Sequence, residues 1–158
     1  MNIFKLSDTP QNCAKMHCDK HVSKMILESA KMLCTTLWYN DQSAPYLPVH
    51  PKHPCTLWSG ESLDNWIWLK ELALYLNEEF CWRYGRSVNH KSADVIKGLR
   101  PPIIESKGLQ QHPQCMPDQY KVPNDPISAY RAYYIGEKTF AKWTKREVPE
   151  WYGQSLVA

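Results

Sequence analysis

Residues 16–31 constrain this chain more than any other segment. Wound as a helix at about 100° per residue, they gather Lys20, Lys31, Lys24, His17, Glu28 and His21 into a single arc of roughly 100°. Met32, Met25, Cys18, Val22, Leu33, Ile26, Ala30 and Leu27 cover most of the remaining circumference. A helix that is apolar around most of its girth must be packed on several sides, so it belongs in the middle of a helical protein. Its two imidazoles, three ammonium groups and one carboxylate are then confined to the narrow stripe left over. Asp19 projects from the apolar arc, where a carboxylate requires a partner.

The rest of the chain reads as further helices separated by proline-rich loops. Thr9 is suited to cap the first helix with Pro10 at its first position, and the pattern carries that helix to about Trp38. Residues 44–55 form a loop bearing His50 and His53. A second long helix starts at Ser59 or Ser62 and runs to Tyr84, stopped by Gly85, with Trp66, Leu69, Ala73, Leu76 and Phe80 on one apolar face. A short helix over 92–97 is closed by Gly98, residues 100–124 are irregular, and Asp125-Pro126 opens a last helix predicted to reach about Lys145. The expected fold is all-α, a compact single-domain helical bundle spanning residues 1–158 with long Pro-rich loops.

Composition narrows the function classes. At 158 residues with 43% hydrophobic and 22% charged content, the chain suits one globular domain and not a disordered segment. No apolar run approaches the roughly 18 residues of a membrane span, and residues 1–5 lack the build of a signal peptide. Six irregularly spaced cysteines suit reduced thiols, so the expected location is the cytoplasm, without a membrane partner. A net charge of +3 permits a nucleic-acid or small-nucleotide partner without demanding one. The oligomeric state is left open.

The stripe carries the first candidate chemistry. Imidazoles and ammonium groups three and four residues apart can converge on a phosphate, and a histidine pair can exchange protons near neutral pH. His17, His21 and Glu28 are the candidate catalytic residues, and Lys20 and Lys24 the phosphate ligands; an ordinary solvated lysine face is the competing reading. His53, just ahead of the central helix, could form a second wall for a phosphate. Arg131 could hold a phosphate while Tyr130 and Tyr134 stack on bases, although rings at this spacing also suit a core. Cys13, Cys18, His50, His53, Cys55, His112 and Cys115 could join His17 and His21 around zinc. With no Cys-x-x-Cys pair, no His-Glu-x-x-His motif and lysines beside the histidines, no metal and no cofactor is expected.

The start Asn2-Ile3-Phe4, the run His17-Cys18-Asp19-Lys20-His21, the loop His53-Pro54-Cys55 and the segment Tyr133-Tyr134-Ile135-Gly136-Glu137-Lys138 resemble a group of uncharacterised bacteriophage proteins over nearly the whole chain. More distantly, a short N-terminal segment leads into a long helix with His17, and a histidine-bearing loop precedes a central helix. With the tail Pro149-Glu150-Trp151-Tyr152-Gly153, this layout resembles the phage pyrimidine-dimer DNA glycosylases, also called endonuclease V. That resemblance covers about a third of the chain. It implies a compact all-α fold, DNA as partner and cleavage through a Schiff base on the N-terminal amine. Two departures are visible. Asn2 predicts retention of Met1, where the family exposes a small residue. The family's catalytic glutamate falls near Lys24, so Glu28, one turn later, is the residue that could stand in. The expected function is therefore a DNA glycosylase- or endonuclease-like enzyme, in which His17 and His21 act as acid and base, Lys20 and Lys24 hold phosphate or form a Schiff base, and Glu28 orients them. The alternative is a phage counter-defence protein that sequesters or cleaves a small cyclic or adenosine-containing nucleotide signal.

Overall fold

The long first helix is in fact two. The computed structural model describes the backbone of residues 1–157 and the side chains of residues 1–153; α1 spans Pro10–Met16 and α2 spans Asp19–Trp38. His17 and Cys18 between them are extended, which removes His17 from the stripe. No glycine or proline marks the break, and its freed backbone groups are satisfied from far away in sequence. Arg83 donates to the carbonyls of Lys15 (3.0 Å) and His17 (2.8 Å), and Trp143 Nε1 donates to that of Met16 (2.9 Å). The amide of Asp19 donates to Lys142 O at 2.8 Å. Buried backbone groups must be paired, so these distant donors and acceptors are what make the break possible.

The remaining elements are α3 (Pro54–Glu61), α4 (Leu63–Tyr84), α5 (Lys91–Lys97), a 3-10 turn (Asp118–Tyr120), α6 (Pro126–Glu137) and α7 (Glu150–Val157), with no strand among the described residues. The all-α expectation holds, and no helix among the described residues is long and apolar enough to cross a membrane. Ser62 caps α4 by accepting from the Asn65 amide, and Gly85 ends it in the left-handed conformation, both as the sequence indicates. Three boundaries differ from expectation. His53 caps an unanticipated α3, whose first residue is Pro54. The helix expected to reach Lys145 stops at Glu137, because residues 138–146 are needed to cross the α1–α2 break. The tail winds into α7.

α4 packs against α1 and α2, and Trp58, Trp66, Leu69, Leu72 and Leu76 fill the space between the helices. The N-terminal segment is drawn through this interior. Ile3, Phe4 and Leu6 are buried, and His112 Nε2 lies 2.8 Å from Ile3 O. Asp19 finds its partners: its carboxylate accepts from Arg83 at 3.1 Å and from Thr144 Oγ1 at 2.6 Å.

Candidate functional site

On α2 the polar stripe survives in shortened form. Lys20 and Lys24 are exposed, Glu28 and Lys31 are half-buried, and their spacing of four, four and three residues keeps them in line. The threaded N-terminal segment brings the Met1 α-amine to this line, where it forms an ion pair with Glu28 at 3.2 Å. The Met1 and Glu28 side chains are only 5% and 14% exposed, and Glu28 Oε2 has no hydrogen-bond partner among the described residues. A carboxylate with one oxygen held by an ammonium group and the other idle is equipped to accept a proton.

His53 faces the same corner from the start of α3. Burial lowers its pKa, and the Met1 ammonium lowers it further. Behind it, Cys55 and Cys115 bring their sulfurs to 3.7 Å. The hydrogen bond from Cys55 pulls the Cys115 thiol down to about 7, against its burial, while the same bond raises Cys55. Asn2 ties the corner together. Its amide group donates to Cys115 O at 2.9 Å, and its carbonyl accepts from Tyr130 Oη at 2.8 Å. On the far side of Thr56, whose hydroxyl lies 3.5 Å from the Met1 sulfur, a cavity of about 350 Å³ opens between α2 and α3. Thr35, Thr36, Asn40, Thr56 and Leu57 are among its lining residues.

The other anticipated residues fall into different environments. His17 is fully buried, with Nδ1 2.8 Å from Cys13 O; burial brings its pKa to about 4 against the opposing bond to Cys13, with a smaller contribution from Arg83. It lies in the core, off the surface stripe. His21 is stacked on Phe4 at 4.3 Å and its Nδ1 meets Tyr134 Oη at 2.6 Å. Burial first, then His17, Lys138 and Lys24, lower its pKa to about 3, so it is a neutral ring at pH 7 and not a cation for gripping phosphate. The base-stacking expectation for Tyr130 and Tyr134 is corrected: both are fully enclosed, and a ring with no exposed face cannot receive a base from outside. Arg131 is half-buried and donates from Nε to Leu6 O at 3.0 Å, which fixes the N-terminal segment instead of reaching outward.

The structure thus brings together Met1, Glu28 and His53, with Lys24 and Lys31 adjacent in the stripe. It leaves His17, Tyr130, Tyr134 and Arg131 in supporting positions. Sequence reading missed Phe140 as a neighbour of the stripe, although Lys20 sits 4.5 Å from its ring centre. Ring–cation alternation in the segment after α6 was the available signal. In comparisons with known proteins, the chain matches no family model, no curated protein and no solved structure.

Proposed function

We propose that this chain is a nucleic-acid enzyme of the glycosylase or endonuclease kind, similar in layout to endonuclease V, in which the Met1 α-amine is the nucleophile and Glu28 its proton acceptor. The observation that carries this reading is the Met1–Glu28 pair at 3.2 Å. An amine held beside a half-buried carboxylate is a nucleophile with its base in reach. Glu28 takes a proton from the ammonium group, and the freed lone pair attacks C1′ of a deoxyribose. The glycosidic C–N bond breaks and the base leaves with the bonding electrons and the proton that Glu28 took. A second amine proton passes to the ring oxygen as the sugar ring opens, and the nitrogen lone pair forms the C=N bond of a protonated Schiff base. Lys20, Lys24 and Lys31 are placed to hold the flanking phosphates, and the cavity past Thr56 can receive an extruded base.

The test is borohydride trapping of the full chain on duplexes carrying an abasic site, a uracil or a pyrimidine dimer. The expected result is a covalent adduct that peptide mapping assigns to Met1. Glu28→Gln should slow trapping by about 100-fold or more, within the range of a lost general base. Lys24→Ala should weaken duplex binding and lower the salt dependence by about one phosphate contact. No adduct on any of the duplexes, or an adduct on a lysine, would overturn the assignment. The cavity also favours a second reading, capture of a small nucleotide signal. Micromolar cyclic or adenosine-containing nucleotide that raises the melting temperature and is recovered unchanged, in a protein that traps no DNA, is the result that reading requires.

A further inference from the structure

We infer that His53, Cys55 and Cys115 form a zinc site with three protein ligands and an open fourth position. This inference does not rest on the enzymatic reading above. The ligating atoms of the three residues all lie within 4.8 Å of one another, although Cys115 is 60 residues from Cys55. The sulfurs are 3.7 Å apart. Two sulfurs bound to one tetrahedral zinc at about 2.3 Å lie roughly 3.8 Å apart, so the thiols already stand at the edge length of that tetrahedron. Two thiolates and an imidazole select zinc over magnesium or calcium, which take oxygen ligands.

The surroundings support the ligands as a built site. Asn2 donates to the carbonyl of Cys115, Tyr130 Oη accepts from its amide at 3.1 Å, and Asn2 Oδ1 lies 3.6 Å from the Cys55 sulfur. Outer contacts of this kind orient metal ligands. His53 Nδ1 accepts from the Cys55 amide at 3.1 Å, a cap bond that metal binding would strain or exchange. Charge does not oppose the ion. Zinc with two thiolates and a neutral imidazole is electrically neutral, so it adds no net charge beside the Met1–Glu28 pair. The lysines that argue against a metal at His17 and His21 belong to the stripe on α2, whereas this cluster is built from α3 and the long loop before α6.

The full chain, purified anaerobically and freed of metal, should bind one zinc per chain. Cobalt should give the intense visible bands of a tetrahedral site together with sulfur-to-cobalt charge transfer. Cys115→Ser and His53→Ala should each weaken zinc binding beyond the roughly 10- to 100-fold that a change outside the ligand shell produces. Cys81→Ser, at a thiol outside the cluster, should leave binding unchanged. Circular dichroism of each variant separates ligand loss from misfolding. The inference is overturned if wild type holds no more zinc than Cys115→Ser, or if cobalt gives only weak octahedral bands. Isolation of Cys55 and Cys115 as a disulfide that takes up no zinc after reduction would also overturn it.

Discussion

Replacing Arg83 with alanine is expected to lower the unfolding free energy by about 3–5 kcal/mol, the range for removing one partner from a buried ionic network. The side chain is fully buried, and its guanidinium joins three parts of the fold. It pairs with Glu79 at 3.0 Å on its own helix, reaches Asp19 at 3.1 Å on α2, and donates to the Lys15 and His17 carbonyls at the end of α1. Glu79 would not be stranded, because Arg146 also holds it at 2.6 Å. Burial raises the Glu79 pKa, but the two arginines together outweigh that and leave it below the usual carboxylate range. The loss therefore falls on the α1–α2 break, where Arg83 is the donor to the Lys15 and His17 carbonyls, and on the void left beside them. Arg83→Lys should recover little, since one ammonium group cannot reproduce a fork directed at both carbonyls and carboxylates. Arg146→Ala should cost clearly less, because its side chain is 29% exposed and Arg83 remains on Glu79. Urea unfolding at neutral pH measures the series, and the melting temperature of Arg83→Ala should fall by roughly 10 °C. Equal losses for Arg83→Ala and Arg146→Ala would refute this account of the break.

That same break shows which parts of the molecule were legible in the sequence. Ser62, Gly85, Thr9 and Pro10 act on the backbone next to them, so their signals can be read locally, and the helices they bound start or stop there. The end of α1 at Met16 has no such signal. It depends on Arg83, Lys142 and Trp143, between 66 and 127 residues away for the bonds to His17 and Met16. Periodicity alone runs straight through it, which is why the arc of the stripe seemed to include His17. The candidate site divides along the same line. Lys20, Lys24, Glu28 and Lys31 share one helix, so their alignment follows from helical geometry. The arrival of Met1 at Glu28, and of Cys115 at Cys55, depends on how a threaded segment and a long loop cross the core. The rings of Tyr130 and Tyr134 suited a core or a stacking surface equally well by spacing, and only their enclosure decides between the two.

Acid should unfold this protein over a narrow range, with stability falling steeply as pH drops from about 6 toward 4. Burial dominates in His17, His21 and His112 alike, bringing their pKa values to about 4, 3 and 3 from an ordinary 6.5. In each case neighbouring cations add to the effect: Arg83 beside His17, Lys138 and Lys24 beside His21, and Lys5 beside His112. The unfolded chain binds these protons near pH 6.5, whereas the folded chain resists them until pH 4 or below. The unfolded state therefore holds more protons throughout that window, and stability must rise with pH across it. Each histidine contributes a slope of up to about 1.4 kcal/mol per pH unit, so the three together approach about 4 kcal/mol per unit. Between pH 6.5 and 4 the loss amounts to about 10 kcal/mol, comparable with the roughly 5–15 kcal/mol by which a domain is stable. Urea midpoints at pH 7, 6 and 5 measure the slope directly, and its value counts the protons taken up. His112→Gln keeps a donor for Ile3 O and should remove about a third of the slope. A midpoint that stays constant from pH 7 to 5 would mean that these imidazoles accept protons in the folded state. His21 would then be a cation beside Lys24, and the phosphate-gripping role that its neutral, Tyr134-bonded ring denies it would have to be restored.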